Sequence, residues 1–229
     1  LSSTPTYVGG LNACINGQGF FATQAISTKE IDVDGDAADV TDALKEAEFA
    51  YTRVGQFQLD SQGYLTDGTN FIYGFRPDGN KGFETGSLVA LRVPSDLSNG
   101  FDDDALQAAS VKINELGEVT ATVTNPDNGE SVQVSLGKIA IVTFQNQEGL
   151  MKSGGTYYSA SIGDNTGLCS ATIPGGSTSK LMTGYLEASN VDLAKEFSEM
   201  ITTQRGFQAN TKMITVSDEI LSDLISMKR

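Results

Sequence analysis

An acidic run in the first quarter of the chain has the residue types of a cation site. The carboxylates that surround Gly35 are Asp32, Asp34, Asp36 and Asp39. Closely spaced carboxylates are the ligands that Ca²⁺ prefers in proteins. The spacing does not fit an EF-hand loop, because the glycine comes two residues early and no Glu stands at the closing position. The pattern therefore favours a solvated acidic loop over a calcium site.

Three other features could carry chemistry, but each lacks a group that the chemistry needs. Asp102, Asp103 and Asp104 are contiguous, so their carboxylates point in different directions and favour a solvated loop over a catalytic pair. The Gly-Gln-Gly run at 17–19 lacks the following helix and Lys of a phosphate cradle. The chain has no His, which excludes the common zinc sites and the Ser–His and Cys–His nucleophile pairs. We therefore predict that the protein is not an enzyme and has no catalytic residue, metal ligand or cofactor.

The composition limits the partners and the cross-links of the chain. Its 15 basic and 29 acidic side chains give a net charge of −14, which argues against binding to nucleic acid or to an anionic membrane. No apolar run approaches the roughly eighteen residues of a membrane-spanning helix. Cys14 and Cys169 lie far apart and in no metal-type spacing. We expect each to be a small buried or half-buried residue, with a disulfide between them as the less favoured alternative.

The segment at 189–228 predicts the element around which the rest of the chain is organised, one long α-helix. It has no Pro and a single interior glycine, Gly206. Ser189 is a good N-cap residue, and Asp192 can complete an acidic variant of a capping box. At 1.5 Å per residue, such a helix would be about 58 Å long.

Apolar residues recur along this predicted helix at steps of three, four or seven, which places them on one broad face. A lone helix cannot bury such a face against itself, so it must pack on another helix, in this chain or in a neighbour. An ordinary helix lying over a domain core is the alternative. Gln204, Thr211 and Asp218 interrupt the face, as in a helix that is packed among many copies or allowed to slide. The predicted packing and self-assembly residues are Leu193, Phe197, Met200, Ile201, Phe207, Ile214, Ile220, Leu221 and Leu224, and Met213, Val216, Ile225 and Met227 follow the same pattern.

Alternation with period two and turn signals predict β-strands through most of the region before the helix. The runs at 13–15 and 20–22 are predicted as the two short strands of a hairpin around the Asn-Gly turn at 16–17, and a β-meander is predicted over 51–76. The apolar run Lys-Ile-Ala-Ile-Val-Thr-Phe at 138–144 is expected at the centre of the sheet. Residues 145–188, rich in Gly, Ser and Thr, are predicted to connect the β-domain to the helix and to contain short strand pieces around 157–160 and 181–186. The acidic insertion at 27–50 is expected to carry a short helix near its end.

The predicted fold class is therefore mainly β, with a single antiparallel β-domain of the meander or barrel-like kind and a long C-terminal helix. The predicted domains are a β-rich outer domain at 1–183, which includes the acidic insertion at 27–50, and a helical domain at 184–229. The sequence predicts many strands and turns and one unpaired helix, but no set of catalytic or metal-binding residues.

Two groups of motifs resemble the flagellar axial proteins of bacteria, the family of hook and basal-body rod subunits. The first group is Ile-Asn-Gly-Gln-Gly-Phe-Phe at 15–21 and Tyr-Thr-Arg-Val-Gly-Gln-Phe at 51–57, with the turn at 60–65. The second is Gly-Tyr-Leu-Glu-Ala-Ser-Asn-Val-Asp at 184–192 and Gln-Arg-Gly-Phe-Gln-Ala-Asn at 204–210. The residues that carry the resemblance are Asn16, Gly17, Gly19, Phe20, Phe21, Thr52, Arg53, Gly55, Phe57, Asp60, Gly63, Ser189, Asn190, Val191, Gln204 and Arg205.

Within that family the ending of the chain looks most like a hook protein, because Gly206-Phe207 stands where distal rod proteins tend to carry Ala-Tyr. The resemblance implies a structural subunit that polymerises into the curved hook, a universal joint that transmits torque from rod to filament. It also implies an inner coiled-coil domain in which the C-terminal helix pairs with an N-terminal helix, and we expect that helix to be missing from this chain. The distal rod, a straight drive shaft, is the alternative within the family. A secreted adhesin-like β-domain with a helical stalk is the alternative from another class.

The resemblance also implies partners and a location. The partners would be other copies of the chain in a homopolymeric tube, the distal rod, the hook cap and hook–filament junction proteins, and the flagellar type III export apparatus. The location would be the extracellular hook of the bacterial flagellum. Neither nucleic acid nor membrane insertion is expected.

Overall fold

The computed structural model describes residues 5–26, 28–78, 82–93, 110–124, 131–175, 179–187 and 191–227. The described chain divides into two compact units, one that contains the described β-strands and one that contains the C-terminal helix. The mainly β class with antiparallel sheets and a long C-terminal helix is confirmed. The division into domains at 183/184 stays a prediction.

Eighteen strands, two α-helices and one 3₁₀ turn make up the described structure. The helices are α1 (Ala37–Glu46) and α2 (Leu193–Met227), and the 3₁₀ turn is Gln147–Gly149. The strands are β1 (Pro5–Tyr7), β2 (Ala13–Asn16), β3 (Phe20–Gln24), β4 (Ile31–Asp32), β5 (Ala50–Thr52), β6 (Gln58–Leu59), β7 (Leu65–Thr66), β8 (Phe71–Phe75), β9 (Ser87–Ala90), β10 (Ser110–Ile113), β11 (Glu118–Thr124), β12 (Ser131–Ile139), β13 (Ile141–Phe144), β14 (Met151–Gly154), β15 (Tyr157–Ser159), β16 (Cys169–Thr172), β17 (Lys180–Thr183) and β18 (Tyr185–Glu187).

Fourteen of these strands form one antiparallel network, whose main path runs β10-β11-β12-β8-β3-β5-β15-β14. The strand β13 pairs with β3 and β16 beside this path. Two antiparallel ribbons stand apart from the network, β1 with β18 and β2 with β17. Over the described residues the path ends at β10 and β14, so the sheet is open and does not close into the barrel that the sequence had suggested as a possibility.

Two apolar cores lie on opposite faces of the central strands. In β3, Phe21 belongs to one core, while Phe20 and Ala22 belong to the other, because successive side chains of a strand point to opposite faces. Ile141 and Val142 in β13 divide between the two cores in the same way. A strand that is buried on both faces needs apolar residues at consecutive positions, which explains the apolar run that the sequence shows there. In the structure this run is shared by the end of β12 and by β13.

The acidic insertion contributes to the second core and is more than a solvated loop. The helix α1 confirms the predicted short helix, and Leu44, Ala47 and Phe49 are buried in that core. The hydroxyl of Thr41 accepts a hydrogen bond of 2.9 Å from the backbone N–H of Cys169, which joins α1 to β16. The four aspartates around the loop glycine are exposed, as predicted.

The prediction that 145–188 is a connector was wrong. This segment contributes five strands to the β-unit, and β16 lies directly beside the central strand β13. Its glycines serve tight turns between short strands, since Gly154 has φ +115° and Gly167 has φ +71°, conformations that Gly adopts without steric cost. The strand pieces expected around 157–160 and 181–186 are confirmed as β15, β17 and β18, whereas β14 and β16 were missed because strands of four residues leave little alternation to detect.

The helix α2 begins three residues later than a cap at position 189 predicts. The predicted N-cap, Ser189, lies outside the described residues, and α2 starts at Leu193. The carboxylate of Asp192 accepts hydrogen bonds from the backbone N–H groups of Ala194, at 2.9 Å, and Lys195, at 3.4 Å. Asp192 therefore caps the helix, because it satisfies N–H groups that have no partner in the first turn and places a negative charge at the positive end of the helix dipole.

A buried ion pair fastens α1 to the turn that precedes β16. Lys45 Nζ lies 2.8 Å from Asp164 Oδ1, and the two side chains are only 7% and 8% exposed. The same carboxylate accepts hydrogen bonds from the backbone N–H groups of Ser161 and Thr166. Burial opposes the ionisation of Asp164, but the hydrogen bonds from Lys45, Thr166 and Ser161 outweigh it and hold the pKa of that carboxyl well below its usual range.

We predict that Asp164→Asn lowers the free energy of unfolding by about 3 kcal/mol at neutral pH, because Lys45 would keep a buried charge without a partner. The double variant Lys45→Met/Asp164→Asn should lose much less stability, since it removes both charges. Urea unfolding of the wild type and the two variants measures the differences. A single variant that stays within about 0.5 kcal/mol of the wild type would show that the pair has no structural role.

The same pair predicts sensitivity to acid. Because the pKa of Asp164 is depressed in the folded state, its stabilising contribution is complete above the unfolded-state pKa of about 3.9 and is lost as the pH falls from there towards the folded-state pKa. The free energy of unfolding of the wild type should therefore fall below about pH 4 more steeply than that of the Lys45→Met/Asp164→Asn variant. Equal slopes for the two proteins in urea unfolding across this pH range would contradict the assignment.

Candidate assembly surface

The described side chains of α2 are exposed along the whole helix. It contains 35 residues, none of which is buried. Phe207 is 74% exposed and Leu193 is 68% exposed, although both side chains are large and apolar. Soluble monomers rarely leave so many large apolar groups in contiguous contact with water. The helix α2 is therefore a surface suited to association.

All nine residues that the sequence predicts to pack or self-assemble lie on α2. Burial of one Leu, Ile or Phe side chain contributes about 1.5–3 kcal/mol, so covering a few of them would drive association by several kcal/mol. Their role in packing stays a prediction. Their exposed fractions lie between 51% and 74%, and they are Leu193, Phe197, Met200, Ile201, Phe207, Ile214, Ile220, Leu221 and Leu224.

The hydroxyl groups on α2 bind to the helix itself. Thr211, which interrupts the apolar face, donates a hydrogen bond of 3.0 Å to the carbonyl oxygen of Phe207. Ser217 donates in the same way to Met213 O at 2.9 Å. A hydroxyl whose proton is already bonded within its own helix costs less to bury against a neighbour than a free one. These polar interruptions are therefore compatible with close packing of α2.

The side chain of Arg53 joins the motif residues of the β-unit. Its Nη1 donates to Gly19 O at 2.8 Å, and its Nη2 donates to Gly17 O at 3.1 Å. The same Nη2 also lies 3.2 Å from Ile15 O. Its Nε donates to Glu187 Oε2 at 2.7 Å. We call these five residues the Arg53 junction, in which one planar guanidinium binds the turn between β2 and β3 to β18, the last strand before α2.

Two glycines of the motifs allow the backbone to pass close to its neighbours. A Cβ on Gly19 would lie 2.3 Å from Ile141 Cγ2, and the φ of Gly19 is +118°, a conformation that other residues rarely adopt. A Cβ on Gly55 would lie 1.8 Å from Ala13 O. The carbonyl of Gly55 also accepts a hydrogen bond of 2.8 Å from Ala13 N. Any larger residue at either position would therefore displace the strands around the Arg53 junction.

Two further motif residues form a separate turn between β6 and β7. The carboxylate of Asp60 accepts hydrogen bonds from the backbone N–H groups of Gln62, at 2.9 Å, and Tyr64, at 2.8 Å. Gly63 supplies the positive φ, +81°, that this turn needs. Asp60 and Gly63 thus shape the β-meander and take no direct part in the Arg53 junction.

The motif residues predicted from the sequence fall into three places. Those on β2, β3, β5 and the loop that follows come together, with Phe21 opposite Thr52 and the rings of Phe21 and Phe57 5.1 Å apart; this group is Asn16, Gly17, Gly19, Phe20, Phe21, Thr52, Arg53, Gly55 and Phe57. Asp60 and Gly63 lie in the separate turn. Ser189 and Asn190 lie outside the described residues, while Val191, Gln204 and Arg205 are exposed.

Glu187 contributes the one side chain that Arg53 binds in the junction, and sequence analysis did not select it as a site. It lies 134 positions after Arg53, so no spacing rule connects the two residues. Its place in the second group of motifs was the one signal that could have indicated it. The ion pair is partly shielded from solvent, since the two side chains are 17% and 15% exposed, and it therefore holds its geometry better than an exposed pair would.

The described residues contain no group of three or more His, Cys, Asp or Glu side chains that could hold a metal ion. Cys14 and Cys169 are buried and unpaired. Burial raises the pKa of both thiols, which lowers their reactivity as nucleophiles. Burial also raises the pKa of Tyr73 to about 12.

Among the described helices, none has the length and apolar character to cross a membrane.

Comparison with known proteins gives related sequences along most of the chain. The family model described as "Flagellar basal body rod FlgEFG protein C-terminal" matches residues 182–227, which contain α2. The flagellar basal-body rod protein FlgG of Bacillus subtilis (strain 168) is 37% identical over 213 residues, which cover 91% of this chain and 69% of that protein.

Flagellar hook proteins match shorter parts of the chain. The hook protein FlgE of Salmonella typhimurium is 38% identical over 139 residues, which cover 61% of this chain and 32% of that protein. The hook protein FlgE of Borreliella burgdorferi is 43% identical over 104 residues, which cover 42% of this chain and 22% of that protein. The chain thus spans a third or less of these hook proteins, compared with 69% of the rod protein of Bacillus subtilis.

We predict that Arg53→Ala lowers the free energy of unfolding by roughly 3 kcal/mol, because four acceptors lose their donor. Arg53→Lys should lose roughly half as much, since an ammonium keeps the charge but cannot reach all four oxygens. Arg76→Ala, at an exposed position of the same unit, is the matched control and should be nearly neutral. If urea unfolding gives Arg53→Ala the same stability as Arg76→Ala, the junction does not hold the β-unit together.

Proposed function

The chain belongs to the family of flagellar basal-body rod and hook proteins, and we propose that it is the structural subunit of the flagellar hook. In this role many copies would polymerise into a curved tube that acts as a universal joint between rod and filament. The family membership leaves the adhesin-like alternative without support. It also agrees with a protein that acts by assembly and not by catalysis.

The exposure of α2 is the observation that carries this proposal. A helix with apolar side chains along its whole length gains free energy only when something covers them. In a homopolymer the natural cover is the same helix in neighbouring copies, because one subunit type then supplies both sides of every contact. We therefore assign α2 to the inner wall of the tube, where water can be excluded from it.

The β-unit has the properties of an outer block. Its two cores and the Arg53 junction make it internally stiff. Contacts between such blocks that are polar and hydrated cost little to break and remake, whereas dry apolar contacts would resist sliding. A tube that bends while it rotates needs this division, with firm contacts near the axis and exchangeable contacts outside.

The choice of the hook over the rod rests on the end of the chain. Gly206-Phe207 in α2 resembles hook proteins, in contrast to the Ala-Tyr of distal rod proteins. The matched parts of the two hook proteins are also 38% and 43% identical to this chain. The distal rod is the second candidate, favoured by the rod protein of Bacillus subtilis, whose alignment covers 91% of the chain.

The proposed location is the extracellular hook of the flagellum, reached through the flagellar type III export apparatus. The proposed partners are further copies of the chain and, at the two ends of the tube, the distal rod, the hook cap and the hook–filament junction proteins. These finer assignments follow from the proposed role in the hook.

Electron microscopy of the polymerised intact protein tests the proposal. Curved tubes are expected for a hook subunit. Straight tubes would transfer the assignment to the distal rod, and a protein that forms no tube under any polymerising condition would contradict an axial role. Labelling the protein in motile cells gives an independent reading, since a hook subunit should appear outside the cell at the base of each filament.

We predict that Phe207→Ala raises the critical concentration for polymerisation at least tenfold, because burial of that ring contributes about 2–3 kcal/mol per subunit. Leu221→Asp should abolish polymerisation, since it would bury a charge in the seam. Thr202→Ala, an exposed truncation on the same helix, is the control and should polymerise normally. Sedimentation of polymer measures yield, and urea unfolding verifies that the β-unit is intact. Normal tubes from Leu221→Asp would refute the assignment of α2 to the tube wall.

A further inference from the structure

A cleft lies where the end of α1 meets the hairpin of β14 and β15. Its volume is about 550 Å³, which is within the range of ligand pockets in proteins. Phe49 and Ala160, both buried, supply apolar surface to it. Three serines, Ser153, Ser159 and Ser161, line it as well. The cleft thus combines apolar surface with hydroxyl groups that can accept hydrogen bonds.

The cleft has a negative electrostatic character. Glu46 and Glu48 line it, and over the described residues neither carboxylate forms an ion pair. Lys45, the basic residue among the described lining residues, is already paired with Asp164. The C-terminal end of α1 lies there too, and it carries the negative end of the helix dipole. Three sources of negative potential therefore act on an occupant of the cleft.

Glu48 holds its carboxylate at the cleft in a backbone conformation that suits glycine better. Its φ is +55°, and within the described part of the chain it is the one non-glycine residue with a positive φ. Glu48 follows Ala47, the C-cap residue of α1, and glycine is preferred at this position because it adopts such a conformation without steric cost. A glutamate there lowers stability relative to a glycine and brings a negative charge to the cleft instead.

An unpaired strand edge adjoins the cleft. The strand β14 lies at the end of the sheet path and, over the described residues, pairs only with β15. All four of its residues are exposed, and Ser153 belongs to both the strand and the cleft. An exposed edge can take up an extended segment as an added strand. Lys152 on this edge disfavours indiscriminate pairing, so a fitting segment must also offer a group to the cleft.

We propose that the edge of β14 and the adjacent cleft together bind an extended basic segment of another protein. The segment pairs with β14, and one of its Lys or Arg side chains enters the cleft. The aliphatic stem of that side chain packs on Phe49 and Ile162, while its charged end meets Glu46 and Glu48. A second copy of this chain is the less suitable occupant, because two chains of net charge −14 repel each other. This site does not involve α2, and it is the same whether the protein belongs to the hook or to the rod.

Peptide binding to the intact protein, kept below its critical concentration for polymerisation, tests the site. The probe is a dye-labelled, amidated peptide Thr-Val-Thr-Lys-Thr-Val-Thr, and its control carries norleucine in place of the lysine. Fluorescence anisotropy should show that the norleucine peptide binds about tenfold more weakly, because it lacks the charge. Affinity for the lysine peptide should fall as NaCl is raised, since salt screens exposed charges. A lysine peptide that does not bind, or that binds no better than its control, would overturn the proposal.

Substitutions in the cleft identify the groups that bind. Glu46→Gln and Glu48→Gln should each weaken binding of the lysine peptide about threefold, and the double variant about tenfold, because each change removes one charge. Glu48→Gly should weaken binding as much as Glu48→Gln while leaving the protein at least as stable in urea unfolding, since glycine suits the positive φ. Glu84→Gln removes an exposed charge outside the cleft and is the matched control, which should bind as the wild type does. Equal effects of Glu84→Gln and Glu48→Gln would contradict the site.

Two further measurements distinguish the possible occupants. Methylating alternate backbone N–H groups of the lysine peptide gives two forms, of which one should bind about tenfold more weakly than the other, because only alternate groups of an added strand face the edge. Equal binding of the two forms, or spermidine binding as tightly as the peptide, would overturn the proposal in favour of a site for small cations. A Glu46→Gln/Glu48→Gln variant with altered polymerisation but unchanged peptide binding would overturn it in favour of a second copy.

Discussion

Large apolar side chains on α2 are in contact with water along the whole described helix, and covering them is the strongest force for association that this chain possesses. The β-unit has no comparable need, because its own apolar residues fill two cores. The β-unit thus buries its apolar residues in its own two cores, whereas the large apolar side chains of α2 are exposed.

The β-unit owes its stiffness to long-range polar contacts as well as to its cores. Arg53 joins a turn near the start of the chain to Glu187, and Lys45 joins α1 to Asp164 across 119 positions. Both pairs are shielded from solvent, so each would leave an uncompensated charge if one partner were lost. These contacts tie the acidic insertion and the last strand to the same body, which lets that body move as one piece in an assembly.

The sequence predicted the features that depend on local pattern. The long helix, the mainly β class, the two strands beside the Asn-Gly turn and the short helix in the insertion were predicted from periodicity and turn residues. The two strands do not form the predicted hairpin, because β2 pairs with β17 whereas β3 pairs with β5, β8 and β13. The errors arose where the pattern was short or the partner distant. Residues 145–188 were taken for a connector with two strand pieces, although this segment contributes five strands to the β-unit.

The candidate assembly surface and the Arg53 junction also contain residues that the sequence could predict and residues that it could not. The apolar residues of α2 could be selected from the sequence, because their helical spacing predicts a face that must pack on another helix, in this chain or in a neighbour. The pairing of Arg53 with Glu187 could not, since it depends on how β18 returns to the turn between β2 and β3.

Hydrogen–deuterium exchange of the intact protein, measured as monomer and as polymer, tests the central claim most directly. If α2 is covered only by other copies, amides in 193–227 should exchange quickly in the monomer and become strongly protected on polymerisation, while protection of the β-unit changes little. Protection of 193–227 that is already complete in the monomer, or that does not increase in the polymer, would contradict the account.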